Sequence, residues 1–377
     1  MSISRRVVLK SSAAASTLLA APAVLRGPAF GQSSGTVNVF AWGDYIQQNM
    51  IDAFEGETGI KVNLSTYGSN DEATQKLKAS GGKGFDVIFP SITNVANYVD
   101  NGDLLLQEID ESRANVSAII PSMYRDSIQL GGVQLGKRVA IPFDWGTEAI
   151  TFDSSAMDLA DADVSYGSLW APEAKGAAAF RQKSVLMGTG LYLTANGDLE
   201  SNRMYDAYKT EEDMRRIFEA VTTFIIDHKA NFGAFWNNAT EATNAFQQAG
   251  CTIGQTWDTT GILLNRDDAK YKYRMPKEGG LTWMDSMGIP AGAENVDQAY
   301  AFINALLTPK MGGMFASNTG YNSCVDGAAL YAGEEYAKQF NEIYNTENLA
   351  NLWWWQSDTP FFAAGVQEYV DRITNAA

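Results

Sequence analysis

Aromatic rings close to carboxylates are the feature of this sequence best suited to recognition chemistry. Trp42 and Tyr45, Trp257 with Asp258, Trp283 with Asp285, Tyr321, and the run Trp353-Trp-Trp-Gln356 fall where the local pattern reads as loop rather than core. Such a set suits a ligand that is cationic and partly apolar. Ring faces cover methylenes and attract an ammonium, worth ~0.5–2 kcal/mol per ring, while a carboxylate accepts charge-assisted hydrogen bonds. An alkyl amine fits. Any single Trp or Tyr is equally at home in a core with its polar tip at the surface, so the argument rests on the combination. A rival reading stays open: aromatic platforms also hold sugars, and two of the 44 acids could form the carboxylate pair of a carbohydrate-active protein.

Other chemistries are poorly provided for. One His (His228) and two widely separated Cys (Cys251 and Cys324) are too few for structural zinc, iron-sulfur or most catalytic metal sites, so neither metal nor cofactor is expected. There is no Gly-x-x-x-x-Gly-Lys-Ser/Thr phosphate loop and no Gly-x-Ser-x-Gly elbow, and Gly188-Thr-Gly190 lacks the third glycine of a dinucleotide site. No enzyme signature emerges. His228, between Asp227 and Lys229, reads as a solvated helix residue. With 28 Lys+Arg against 44 Asp+Glu, the formal net charge of -16 repels a phosphate backbone, and no nucleic-acid partner is expected.

The elements that must position these residues follow a recognisable order. Thr36–Phe40 alternates like a strand, Ile46, Met50, Ile51 and Phe54 recur at helical spacing, and Lys61–Thr66 alternates again. A short helix is expected over 72–79, and Phe85–Phe89 is a continuous apolar run ending at Pro90. This β-α-β-α-β order favours a parallel sheet with right-handed crossovers, whose ligands sit beyond the carboxyl ends of its strands. A second unit begins near Ile150, with a helix expected over 211–229, a strand over 251–257, a helix over 296–307 stopped by Pro309, and a last helix over 362–373. At 377 residues and 45% hydrophobic, the chain can fill two α/β lobes.

The first thirty-one residues read as an export signal. Ser4-Arg-Arg-Val-Val-Leu-Lys10 resembles a twin-arginine signal, with Val8 where an aromatic is usual, so the general secretory route stays open. The mild Ala/Ser/Leu run that follows is interrupted by Ser16, Thr17 and Pro22 and is too short and too polar for a spanning helix. Cleavage near Gly31 removes four of the 28 basic residues and no acid, leaving 24 against 44, a net charge of -20. In an oxidising compartment Cys251 and Cys324 either pair or remain as two buried thiols.

Phe40-Ala-Trp-Gly-Asp-Tyr45, Glu57-Thr-Gly-Ile-Lys-Val62, Phe85-Asp-Val-Ile-Phe-Pro-Ser91, Ile289-Pro-Ala, Thr319-Gly-Tyr321 and above all Pro276-Lys-Glu-Gly-Gly-Leu-Thr-Trp-Met-Asp-Ser286 resemble the bacterial spermidine/putrescine-binding proteins of ABC importers. The resemblance covers essentially the whole exported chain. It implies a periplasmic, monomeric, non-enzymatic receptor with the type II periplasmic binding fold, which hands an amine-bearing solute to an ABC permease. Its two lobes, 36–145 plus 284–333 and 150–280 plus 337–377, are joined by crossing strands and close about the ligand. Carried over by motif, the implied ligand residues are Trp42, Tyr45, Ser91, Thr93, Trp257, Trp283, Asp285, Tyr321 and Gln356.

The departures matter as much. At the start of lobe two the family carries acids that clamp a second amine, where this chain has Phe180-Arg-Gln-Lys-Ser184, and Thr93 replaces an aromatic. If Arg181 or Lys183 faces the pocket, a short ω-amino acid such as 4-aminobutyrate is the better ligand, with its ammonium on Asp285 and its carboxylate on the basic side. If they point away, Glu148, Asp144 or Asp258 is left to supply the second clamp.

Overall fold

The computed structural model describes residues 35–43 and 45–376. The expected export signal, 1–31, lies outside them. Strand β1 (Gly35–Trp42), helix α1 (Gln48–Thr58), strand β2 (Ile60–Tyr67), helix α2 (Asn70–Ser80) and the short strand β3 (Val87–Ile88) form the expected βαβαβ unit. The sheet order is β2-β1-β3, all parallel, with Val37 facing Val62 and Val39 facing Val87. Helix α1 ends at Gly59, in the left-handed conformation at φ 74°, where glycine carries no Cβ penalty.

The second sheet holds eight strands and is built around one long strand, Ile141–Asp153, in which all thirteen residues are buried. Leu281–Met287 runs antiparallel beside it, from Leu281 opposite Glu148 to Met287 opposite Ile141. These two strands belong to both halves of the molecule. Toward Ile141 they bridge to β3, through Ile88 with Gly288 and Ser91 with Asp285. Toward Asp153 the long strand takes up Ile253–Trp257 and Tyr271–Arg274, beyond which lie Ala178–Arg181 and Phe232–Trp236. The result is two α/β lobes joined by crossing strands.

One large core cluster, with Phe40, Phe89 and Phe143, fills the first lobe, and a second, with Phe152, Phe180 and Phe218, fills the other. The segment after residue 337 is shared between them: Ile343, Tyr344 and Leu352 join the first cluster, with Tyr344 4.6 Å from Trp145, whereas Trp353, Phe362 and Ile373 join the second.

Local expectations hold for the helices Glu211–Asp227, Val296–Leu306 and Pro360–Ala376, within a few residues at their ends. Two details differ. Pro309 opens a new helix, Pro309–Thr319, at a position where its missing N–H costs nothing, with the Thr308 side chain capping it. His228 is half-buried rather than solvated; it terminates its helix and stacks on Phe224 at 4.0 Å. Cys251 and Cys324 are both buried free thiols in separate core clusters, so the pairing alternative fails. Gly188 and Gly190 are buried within the helix Ser184–Asn196, where Cβ atoms would strike Gln255 and Met204. No helix among the described residues is long and apolar enough to cross a membrane.

Candidate functional site

A cleft of about 920 Å³ lies between the lobes, at the carboxyl ends of their parallel strands. Trp42 is the last residue of β1, Tyr67 of β2, Arg181 of Ala178–Arg181 and Trp257 of Ile253–Trp257. Strand ends converge here because successive parallel strands, returned by helices, point the same way. All eleven residues expected at the site line this cleft: Trp42, Tyr45, Ser91, Thr93, Trp257, Trp283, Asp285, Tyr321 and Gln356, with Arg181 and Lys183.

Asp285 is the chemical centre of the first-lobe wall. It lies inside the crossing strand Leu281–Met287, not in a loop, and is 5% exposed. Tyr45 donates its hydroxyl to Asp285 Oδ2 at 2.6 Å. Burial pushes the Asp285 carboxyl up to about 6, against the pull of hydrogen bonds from Tyr45 and Ser91. Ser91 is held in turn by Asn70, whose Oδ1 accepts from the Ser91 amide at 3.1 Å while its Nδ2 donates to Ser91 Oγ at 3.0 Å. Tyr45 is itself locked among Phe89, Phe143, Phe315 and Tyr321, at centroid separations of 5.5–6.3 Å.

The rings form a wall of fixed geometry. Trp42 donates its indole N–H to the Phe89 carbonyl at 2.9 Å and packs on Tyr67 at 4.8 Å. Trp283 meets Tyr321 edge to face, 5.2 Å apart and 86° between planes. Trp283 faces Gly146 across the strand pair, and a Cβ there would fall 2.3 Å from its Cζ2, so this glycine makes room for the ring. Of the late tryptophans, Trp354 and Trp355 line the cleft, whereas Trp353 is a core residue stacked on Tyr205 at 5.2 Å.

The second-lobe wall is charge-paired. Arg181 forms an ion pair through Nη1 with Glu148 Oε1, the carboxylate fully buried and the guanidinium side chain 25% exposed. Trp257 donates to the same Glu148 oxygen at 3.2 Å, and the guanidinium lies 4.8 Å over the Trp257 ring. Lys183 pairs with Asp358 at 3.1 Å and sits 4.9 Å over Trp355. Asp258, one of the carboxylates considered for a second clamp, does not reach the cleft: it is buried and accepts from Thr147 N, Thr259 N, Asn322 Nδ2 and the Tyr344 hydroxyl. At the mouth, Ser357 of one lobe donates to the Thr93 carbonyl of the other at 2.7 Å. The charge partners Glu148 and Asp358 are far from Arg181 and Lys183 in sequence, and no local spacing announces either pair.

The family model for bacterial extracellular solute-binding proteins matches residues 49–341. The chain belongs to that family. Among its relatives is the spermidine/putrescine-binding periplasmic protein of Escherichia coli K12, 27% identical over 361 residues that span 94% of this chain and 97% of that one. The putrescine-binding periplasmic protein SpuD of Pseudomonas aeruginosa is 27% identical over 293 residues, 76% of this chain and 77% of its own. The spermidine/putrescine ABC transporter substrate-binding protein PotD of Streptococcus pneumoniae shares the fold, with a TM-score of 0.75 at 24% identity over 91% of this chain and 99% of that one. This solute-binding protein is therefore periplasmic, and the family is one of binding proteins, not enzymes, which removes the carbohydrate-active enzyme alternative.

Proposed function

We propose that this protein is the receptor of an ABC importer and captures a small amine-bearing solute in the cleft, its ammonium on Asp285 and its methylenes between Trp42, Trp257, Trp283 and Tyr321. The observation that carries this reading is the buried Asp285 carboxylate, oriented by Tyr45 and sharing with aromatic side chains a cleft built from both lobes. The names of the relatives support a polyamine. Contacts from both lobes exist together only when the lobes are shut, so a ligand that bridges them stabilises the closed state selectively.

A second reading rests on the opposite wall. A guanidinium carries five N–H donors, and one ion pair with Glu148 leaves others for a ligand carboxylate, while each carboxylate on that wall already has a cation. This favours an ω-amino acid over a diamine.

A thermal-shift screen of the exported chain with putrescine, spermidine, 4-aminobutyrate, ornithine and a neutral sugar tests both. A ligand at one hundred times its Kd adds ~2.7 kcal/mol, a rise of roughly 4 °C for a chain of this size. Stabilisation by an amine supports the proposal, putrescine against 4-aminobutyrate separates the two readings, and a response to the sugar alone overturns both.

A further inference from the structure

Asp144 lies directly across the antiparallel pair from Asp285, on the other crossing strand. Facing residues in such a pair hold their Cβ atoms ~4.5–5.5 Å apart and point to the same side of the sheet. Asp144 is fully buried, and neither of its carboxyl oxygens has a hydrogen-bond partner. A bare, buried carboxylate next to a second carboxylate is the arrangement folding tolerates least, because desolvation and like-charge repulsion both oppose ionisation.

The titratable groups that face Asp144 are acids on every side: Asp285 on the partner strand, Asp258 at the start of the helix Asp258–Asp267, Tyr45 after β1, Tyr67 at the end of β2, and Cys324 beyond the short strand Asn322–Ser323. No cation is among them. The Tyr45 hydroxyl donates to Asp285, and its nearness also pulls the Asp144 carboxyl down, against the larger upward push of burial and of Asp285.

We propose that Asp144 and Asp285 form a carboxyl pair that holds one proton in the empty site, on Asp144, and that the arriving ammonium expels it, so that amine capture releases a proton to solvent. The inference rests on the proposed seating of an ammonium at Asp285. Burial first, then the neighbouring Asp285, push the Asp144 carboxyl well above the usual carboxylate range, in keeping with a neutral acid buried behind the cleft wall when no ligand is bound. An ammonium on Asp285 places a positive charge beside the pair and favours ionisation of its second member. The pair then titrates as a unit, and Asp144 acts through Asp285 as a positioning residue that sets how much negative charge the cavity presents. An empty cleft with one charge in place of two also avoids the repulsion that an unliganded dicarboxylate would impose.

Two measurements on the exported chain decide this. Infrared difference spectroscopy of ligand-free wild type against Asp144→Asn at about pH 7.5 needs no ligand. The proposal predicts a protonated-carboxyl C=O stretch in the wild type that the variant lacks, and absence of that difference overturns it. Calorimetry with putrescine and with 4-aminobutyrate, in buffers of different ionisation enthalpy, then counts protons. Wild type is expected to release a fraction of a proton on binding and to bind more tightly as pH rises through neutrality, whereas Asp144→Asn releases none and loses that slope. Equal proton counts in the two proteins overturn the coupling. If neither probe binds the wild type, the amine reading fails and the coupling fails with it, while the infrared result still reports separately whether the pair holds its proton.

Discussion

Arg181 and Glu148 are joined by an ion pair at the second-lobe end of the cleft, the carboxylate fully buried and the guanidinium a quarter exposed. The pair sits at the far side of the cavity from Asp285, so it governs what the second end of a ligand meets. Glu148→Gln removes the charge that balances Arg181 and should shift preference toward a ligand carboxylate, raising the affinity ratio of 4-aminobutyrate to putrescine by about tenfold, or ~1.4 kcal/mol. Arg181→Ala should shift the ratio the other way and lower stability by about 2 kcal/mol, because Glu148 is left buried without its cation. Competition titrations give the ratio and denaturant unfolding gives the stability.

Gly146 tests the aromatic wall without touching a polar group. Gly146→Ala places a methyl where Trp283 now lies, and the ring must move. Overpacking of this kind costs ~1–3 kcal/mol of stability. The larger expected effect is on binding, a loss of at least about tenfold, because a displaced indole no longer flanks the ligand chain. Calorimetric affinity and urea unfolding followed by tryptophan fluorescence report the two changes separately.

Asp258 sits where four donors converge, yet burial pushes its carboxyl up to about 7. A folded-state value above the unfolded one near 3.9 means that the native state binds the proton more tightly. Its contribution to stability is therefore fully present below about pH 4 and is lost as pH rises through about 7. Asp258→Asn should flatten that part of the stability profile. It should also cost about 2 kcal/mol at low pH, since an amide N–H₂ then faces donors that need an acceptor. Urea unfolding across that pH range checks both statements.

Much of this was legible from residue types and periodicity. The first βαβαβ unit declares itself because Thr36–Phe40 and Lys61–Thr66 alternate while Met50 and Phe54 keep helical spacing, and the rule that ligands lie beyond strand ends then selects Trp42, Tyr45 and Ser91. The long strand Ile141–Asp153 was hidden because it is buried on both faces: Asp144, Gly146 and Glu148 interrupt its apolar residues, so neither alternation nor a continuous run marks it. By pattern alone Trp283 and Asp285 read as loop residues for the same reason, although they ride on its partner strand. The charge pairs Arg181 with Glu148 and Lys183 with Asp358 depend on tertiary approach across 33 and 175 positions. Residue types identified the basic side of the cleft, and only the fold revealed that it is neutralised.

Asp285, the buried carboxylate of the interlobe cleft, is proposed to grip the ligand's nitrogen. Titration calorimetry of putrescine and 4-aminobutyrate into wild type and Asp285→Asn tests it most directly. One-to-one binding of at least one of them by the wild type is predicted, with affinity reduced by about a hundredfold or more in Asp285→Asn, as expected when a buried ammonium loses its counter-charge. Equal affinity in the two proteins contradicts it.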